Sequence, residues 1–238
     1  MKERLLPHFA GRTKPVEMIV LHCSAYEADK CIEIWNECGV SPHYLIDETG
    51  EIIKLVDEGK KAFHAGKGYW NGIRGDMNER SIGIELINST MGQVDGSYNK
   101  TQIVALIGLC KDLIKKYKIK PYNIVGHSDI APCRKPDPGR AFPWKKLAEE
   151  GVGIWYEQQG CQSNDVVRLL QEIGYDVCDE ETQIASAYAF LRHYMPEKIN
   201  IVADLQELLD NPYPKDDKSW LDDENFLSVL NAVRCNKR

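Results

Sequence analysis

The alternation of apolar and polar positions predicts a mixed α/β domain in the first part of the chain. Short apolar runs typical of buried strands occur at residues 16–25, 81–87 and 123–127. Residues 101–119 place apolar side chains at helical spacing, which predicts a long amphipathic helix. Residues 42–57 hold two apolar runs around Asp-Glu-Thr-Gly, the pattern of a hairpin with glycine in its turn.

The remaining segments complete the order of elements. Residues 29–38 predict a helix, and the glycine-rich residues 62–80 predict a long irregular loop. Strand, helix, hairpin, loop, strand, long helix and strand together predict a mixed central sheet flanked by helices. The strand at residues 81–87 alternates, so Glu85 lies on the face opposite Ile82, Ile84 and Leu86.

A polar stretch divides the chain into two parts. We interpret residues 1–155 as one α/β domain, 156–162 as a linker and 163–238 as a small all-α domain. Gly-Tyr, Pro and Asp separate the short amphipathic runs of the second part. Helices are expected in residues 165–177, 180–196, 202–211 and 222–233.

Composition and charge restrict the class of partner. The 238 residues are 43% hydrophobic and 28% charged, as is typical of a folded domain. A net charge of −6 gives no electrostatic reason to expect binding to nucleic acid. No apolar run approaches the roughly 20 residues of a membrane span. We therefore expect no nucleic-acid partner, no membrane span and a monomer.

The densest group of polar side chains lies in Gly-His-Ser-Asp-Ile-Ala-Pro-Cys-Arg-Lys-Pro-Asp-Pro-Gly, residues 126–139. His22 and His127 each end a predicted strand, so neighbouring strands would bring both imidazoles to one edge of the sheet. Asp137 lies on the following loop, which prolines stiffen, and this loop can bring its carboxylate close to the two imidazoles. Two histidines and one carboxylate leave a fourth tetrahedral position open, which is typical of catalytic zinc.

Each of these residues has an alternative interpretation as a surface histidine or a turn residue. Cys23 and Cys133 also compete as ligands. Alternation along the strand should turn Cys23 away from the face that holds His22. Cys133 ranks below Asp137 because Lys135 and the Pro-Asp-Pro-Gly turn suit a carboxylate better, but the pattern alone leaves this choice open.

Glu85 and Lys135 are candidates for the chemistry. A glutamate on a mostly apolar strand lies either on a solvated face or next to a metal as general base. Lys135 is either an exposed loop charge or the group that stabilises an oxyanion as water attacks a carbonyl. Together the five residues predict metal-assisted amide hydrolysis.

The same residues carry a resemblance to a known family. Six blocks within residues 14–155 resemble those of zinc-dependent N-acetylmuramoyl-L-alanine amidases of the AmpD/AmiD type, whose fold is shared with peptidoglycan recognition proteins. The resemblance implies that His22, His127 and Asp137, rather than Cys133, bind Zn²⁺, and that Glu85 and Lys135 are the catalytic pair. The blocks are IVLHCSA, SPHYLIDETGEI, AFHAG, NERSIGIEL, NIVGHSDIAPCRKPDPG and FPW.

The implied substrate is the amide between N-acetylmuramic acid, anhydro or intact, and the L-alanine of the peptidoglycan stem peptide. His64 and Arg134 are possible contacts to such muropeptides, and a structural role is the alternative interpretation for His64 and His43. The helical segment favours the AmiD branch, which appends a helical peptidoglycan-binding domain, although Phe190-Leu191 stands where that domain usually has Phe-Gln. The main rival interpretation is a non-catalytic peptidoglycan-recognition module; another is a scaffold whose helices recruit a protein.

Two observations bear on the compartment and disagree. The AmiD branch favours the cell envelope, which would require that a leader was removed. Residues 1–15 lack the apolar core of a signal peptide, and eight cysteines without C-x-x-C spacing predict free thiols, which favours the cytoplasm. We expect a periplasmic protein if a leader was removed and a cytoplasmic one otherwise.

Overall fold

A mixed β-sheet flanked by helices forms the centre of the molecule, as the sequence predicts. The computed structural model describes residues 1–89, 97–157, 163–200, 202 and 204–237. The strands are β1 (Lys2–Glu3), β2 (Phe9–Gly11), β3 (Met18–Ser24), β4 (Tyr44–Ile46), β5 (Ile52–Lys54), β6 (Lys60–Ala62), β7 (Lys67–Trp70), β8 (Ile73–Asp76), β9 (Ser81–Ile87) and β10 (Ile124–Gly126). The helices are α1 (Ala28–Cys38), α2 (Lys100–Tyr117), α3 (His127–Ile130), α4 (Trp144–Glu149), α5 (Val166–Ile173), α6 (Glu180–Tyr194), α7 (Leu205–Asp210) and α8 (Glu224–Asn236).

The central sheet has the strand order β1-β5-β4-β9-β3-β10 within the described residues. Strands β4, β9, β3 and β10 run parallel to one another, whereas β5 returns antiparallel to β4 through the predicted hairpin. Gly50 adopts a φ of +89° in that hairpin turn, a conformation that glycine reaches without steric cost. Parallel pairing brings the carboxyl ends of β3, β9 and β10 to one edge of the sheet.

The two faces of the sheet are covered by different helices. On one face, Ile19, Leu21 and Ile84 pack with apolar side chains of α2, as the alternation of the strands predicts. On the other face, Met18 and Val20 pack with the helices that follow residue 163. The second face also carries the polar residues of β3 and β9, so the site lies on the side of the later helices.

Residues 62–80 differ from the sequence prediction of an irregular loop. They contain β7 and β8, which form an antiparallel hairpin with Trp70 opposite Ile73. Asn71 and Gly72 form its turn, with φ values of +51° and +83°. Asn-Gly between two strands is the strongest short hairpin signal, because both turn positions need positive φ. The glycine content obscured this signal, and the loop prediction was wrong for these residues.

The later helices confirm the prediction of a helical segment. α5, α6 and α7 each fall within one of the expected runs, and α8 begins in the fourth run and continues past its end to Asn236. Side chains of α5, α6 and α8 share one hydrophobic cluster with the sheet, in which Tyr175 lies edge-on to Trp70 with ring centroids 5.1 Å apart. The division at 156–162 stays a prediction, and residues 158–162 lie outside the described part of the chain. No helix in the described part is long and apolar enough to cross a membrane.

A substitution at Gly83 tests the close packing of β9. A Cβ atom there would lie 2.3 to 2.6 Å from the ring of His64, so we expect Gly83→Ala to lower the free energy of unfolding by about 1–3 kcal/mol. Gly108→Ala on α2 is the matched control, because its Cβ would meet nothing within 4 Å. That variant should gain about 0.5–1 kcal/mol. Urea denaturation of both variants measures the difference, and equal stabilities would contradict this packing.

Candidate metal centre and active site

The parallel pairing of β3 and β10 brings two histidines together. Gly126 pairs with Leu21, so the next residues along each strand, His127 and His22, lie side by side at the sheet edge. Nδ1 of His22 lies 3.0 Å from Nδ1 of His127. His127 is also the first residue of α3, which turns the chain away from the sheet.

Asp137 completes the group from the loop that follows α3. The backbone N–H of Ser128 donates to the carbonyl oxygen of Asp137 at 2.8 Å and so closes the loop. Oδ2 of Asp137 then lies 3.2 Å from Nδ1 of His22 and 3.1 Å from Nδ1 of His127. All three residues are buried, with exposed fractions of 1%, 4% and 7% for His22, His127 and Asp137. They form a group that could hold a metal ion.

The donor set fits a small divalent cation. A tetrahedral zinc ion about 2.0–2.1 Å from each ligand holds neighbouring ligand atoms about 3.3 Å apart, close to the distances seen between these atoms. Burial and the charge of His127 lower the pKa of His22 to about 4, so its ring is neutral near pH 7, as a metal ligand must be. Burial raises the pKa of Asp137. The charges of His127 and His22 and their hydrogen bonds to the carboxylate have a larger, opposite effect and hold that pKa well below its usual value.

The distal nitrogens of both histidines are fixed by hydrogen bonds. Nε2 of His127 donates to the carbonyl oxygen of Ala65 at 3.1 Å, which leaves Nδ1 without a proton and available to a metal. Nε2 of His22 lies 2.9 Å from Nδ1 of His64, and Nε2 of His64 lies 3.4 Å from the hydroxyl of Ser81. When Nδ1 of His22 is the ligand atom, its Nε2 carries the proton and donates a hydrogen bond to Nδ1 of His64.

Glu85 lies beside the group on the neighbouring strand. The register of β3 and β9 pairs it with His22, and it is 8% exposed. The hydroxyl of Ser24 donates to its Oε2 at 3.1 Å. Burial, followed by the negative charge of Asp137, raises the pKa of Glu85 to about 8, whereas Ser24 and Lys135 oppose that rise. In the metal-free protein the carboxyl group can therefore exchange a proton near neutral pH.

Lys135 lies on the loop two residues before Asp137 and is half-buried. Its backbone N–H donates to the carbonyl oxygen of Ala131 at 3.1 Å, which fixes the base of the side chain. The ammonium charge is close enough to lower the pKa of both Glu85 and His22. Within the described residues it forms no ion pair, so the charge is available to a ligand.

The two expected substrate contacts take part in the local structure. His64 lies behind His22, as described above. Arg134 is exposed, and its guanidinium donates to the carbonyl oxygens of Ala65 and Lys67 at 2.6 and 2.7 Å. Arg134 thus ties the loop to β7 near the carbonyl that orients His127. Substrate contact by His64 and Arg134 stays a prediction.

The two competing cysteines lie outside the ligand group. Cys23 is buried, and the thiol lies near Tyr98, in agreement with the alternation along β3. Cys133 lies near Tyr213 and Glu181 of the helical segment. Sequence reasoning missed Ser24 as a partner of Glu85. Its position two residues after His22 on the same strand face was the available signal.

The chain matches the family model described as N-acetylmuramoyl-L-alanine amidase over residues 12–140. It is 35% identical over 219 residues to the N-acetylmuramoyl-L-alanine amidase AmiD of Escherichia coli (strain K12), a match that covers 80% of this chain and 79% of AmiD. It is 43% identical over 111 residues to 1,6-anhydro-N-acetylmuramyl-L-alanine amidase AmpD of the same strain, covering 45% of this chain and 56% of AmpD.

Solved structures extend the match to the helical segment. The structure of E. coli AmiD with anhydro-N-acetylmuramic acid-L-Ala-D-γ-Glu-L-Lys has a TM-score of 0.72 at 30% identity and covers 94% of this chain and 91% of its own. AmpDh3 from Pseudomonas aeruginosa has a TM-score of 0.74 at 29% identity, covering 92% and 91%. The chain therefore belongs to the N-acetylmuramoyl-L-alanine amidase family and is an enzyme of this class.

The raised pKa of Glu85 predicts a pH dependence of stability. Between pH 4.5 and 8 the unfolded chain has an ionised Glu85 while the metal-free folded protein keeps it protonated, so the folded state binds the extra proton. Stability contributed by this residue therefore falls as pH rises through that window. The pKa change from 4.5 to about 8 corresponds to roughly 4–5 kcal/mol in total.

Comparison with Glu85→Gln isolates this effect from the other titrating groups. We expect the metal-free protein to lose stability relative to Glu85→Gln as pH rises from 5 to about 8. Denaturant titrations of both proteins in chelator, at several pH values, measure the difference. Parallel pH curves would show that the pKa of Glu85 is not raised.

Proposed function

We propose that this enzyme hydrolyses the amide between N-acetylmuramic acid and the L-alanine of the peptidoglycan stem peptide, with zinc as its cofactor. The convergence of His22, His127 and Asp137 beside Glu85 is the observation that carries this proposal. The muropeptide named in the AmiD structure contains the same amide, which supports the choice of substrate. Both anhydro and intact N-acetylmuramic acid are candidate sugars.

Zinc is the metal that best suits two imidazoles and one carboxylate with an open fourth position. When bound there, it would polarise the scissile carbonyl and lower the pKa of a water molecule. The protein supplies the rest of the site. His22, His127 and Asp137 hold the charge in a buried position, and the hydrogen bonds to His64 and Ala65 keep both rings in the required tautomer.

Glu85 acts as the general base in this proposal. Its carboxylate accepts a proton from the water that attacks the carbonyl carbon, and the protonated carboxyl then donates to the leaving amine of L-alanine. Burial raises the pKa of Glu85 in the metal-free site, and the positive charge of a bound metal ion would favour the carboxylate that has to accept this proton. Ser24 fixes the carboxylate at Oε2 and leaves Oε1 for the water.

Lys135 stabilises the oxyanion that forms as water adds to the amide. Its ammonium group acts on Glu85 and His22 from the loop and has no ion-pair partner in the described part of the chain. A fixed cation that meets negative charge mainly in the transition state lowers the barrier without tightening substrate binding. Arg134 and His64 are proposed as weaker contacts to the muropeptide.

The protein is proposed to act as a monomer on muropeptides. Its compartment would be the periplasm if a leader was removed, and the cytoplasm otherwise. The sequence alone also allowed a non-catalytic recognition module, and membership of the amidase family favours the enzyme over that alternative.

Digestion of purified peptidoglycan and of anhydro-muropeptides, read by mass spectrometry, tests the proposal. We expect release of free stem peptides that begin at L-alanine, loss of release in chelator and recovery on addition of zinc. The relative yields from the two substrates identify the preferred sugar. Bound zinc without release of stem peptide from either substrate would contradict the proposed substrate.

Two variants separate the metal site from the base. Glu85→Gln should keep zinc and lose most turnover, because the amide cannot accept the proton. His127→Ala should lose both, because it removes a ligand. Zinc content by elemental analysis and initial rates on one muropeptide measure the two effects. A fully active Glu85→Gln enzyme would disprove the role of Glu85.

Replacement of Lys135 tests the oxyanion role. We expect Lys135→Met to lower kcat about 10²- to 10³-fold with little change in KM, since the lost charge acts mainly in the transition state. Lys145→Met removes the same charge from an exposed position of α4 and should leave kcat unchanged. A rise in KM alone in Lys135→Met would assign this lysine to substrate binding.

A further inference from the structure

A buried polar cluster lies next to the ligand group and takes no part in the proposed chemistry. It consists of Asp129, Tyr175 and His193, with exposed fractions of 0%, 0% and 5%. We refer to it as the Asp129 cluster. Asp129 belongs to the turn that carries His127, whereas Tyr175 and His193 belong to the helical segment.

The carboxylate of Asp129 receives three hydrogen bonds. The hydroxyl of Tyr175 donates to Oδ1 at 2.7 Å, and Nδ1 of His193 donates to Oδ2 at 2.9 Å. The backbone N–H of Gly126 donates to Oδ2 at 2.7 Å. A buried carboxylate is tolerated only with such partners, and two of the three come from the helical segment.

The position of Asp129 connects these bonds to the metal ligands. Asp129 lies two residues after His127, in a helix of a single turn, and its bond to Gly126 closes the start of that turn. Ser128, between His127 and Asp129, donates its backbone N–H to the carbonyl oxygen of Asp137. The turn held by Asp129 therefore carries one proposed ligand and is bonded to the backbone of another.

Aromatic contacts fix the rings that donate these bonds. His193 stacks on Trp144 with centroids 3.8 Å apart and an interplanar angle of 14°. Trp144 follows the loop of Asp137 and lies against Gly126, where an added Cβ would come within 3.2 Å of the indole. Tyr175 packs edge-on against Trp70 of β7. A shift of His193 would therefore disturb Trp144, which lies against the residue before His127.

We propose that Tyr175 and His193 are positioning residues for the metal ligand His127, acting through Asp129. The helical segment then completes the metal centre. This inference rests on the proposed function, because it requires that His22, His127 and Asp137 bind zinc. Ligand orientation by residues that do not touch the metal typically changes metal affinity about 10- to 100-fold.

Tyr175→Phe is the most conservative test, because it removes one hydroxyl and keeps the ring against Trp70. We expect the dissociation constant of zinc, measured by competition with a chromogenic chelator on the folded full-length protein, to rise about 10-fold. Tyr188→Phe is the matched control: it removes a hydroxyl that bonds to Asp217 in the same helical segment. Its zinc affinity should equal that of the unchanged protein.

Two substitutions of His193 separate the hydrogen bond from the stacking. His193→Phe keeps a flat ring on Trp144 and loses the donor, whereas His193→Asn keeps an N–H near the position of Nδ1 and loses the ring. We expect His193→Phe to weaken zinc binding more than His193→Asn. A structural role alone predicts that both variants lower the free energy of unfolding while zinc affinity in the folded protein stays unchanged.

The outcomes distinguish this inference from the proposed function. If the unchanged protein binds one zinc ion and His127→Ala does not, the metal site is established. Normal zinc affinity in both Tyr175→Phe and His193→Phe would then overturn the positioning role and leave the proposed function intact. If the unchanged protein binds no zinc, both proposals fall. Should His193→Phe fail to fold, Tyr175→Phe decides by itself.

Discussion

The register of three parallel strands is the constraint on which the site depends. Pairing of β3 with β9 places His22 opposite Glu85, and pairing with β10 places His127 next to His22. The same register directs Ile19 and Leu21 into the core beneath α2. A slip of one residue would turn the apolar side chains out of that core and the histidine into it. Burial of the apolar face therefore enforces the geometry of the polar one.

Several polar groups are buried together at this edge, and each depends on a partner from a different part of the chain. Ala65 and His64, which precede β7, fix the distal nitrogens of the two histidines. Ser24 holds Glu85 from within β3. Because a partly satisfied buried network is costly, loss of one partner disturbs the others. These hydrogen bonds hold the side chains of the site in place independently of any ligand.

The sequence predicts those features of the fold and the site that are determined by residues close together in the chain. The placement of His22 in β3 and of His127 directly after β10 follows from apolar runs, although β3 continues to Ser24 beyond the predicted end at His22. The turn at Gly50 follows from a glycine between two strands. The role of His64 did not follow, because nothing near it in sequence shows that Gly83 opens space for its ring. The bonds of Asp129 join residues 46 and 64 positions apart, and no local pattern encodes such pairings.

The hairpin within residues 62–80 was missed for a different reason. Its Asn-Gly turn is a local signal, but the high glycine content of the segment led to the prediction of an irregular loop. This segment contacts the site. The carbonyl oxygens of Ala65 and Lys67 accept hydrogen bonds from Arg134 of the Asp137 loop, and that of Ala65 also accepts one from Nε2–H of His127. Trp70 of the hairpin packs edge-on against Tyr175. One short antiparallel ribbon therefore contacts the proposed metal ligands on one side and the helical segment on the other. The helices therefore pack in the same core as the candidate metal centre, and substitutions of single side chains can measure their effect on it.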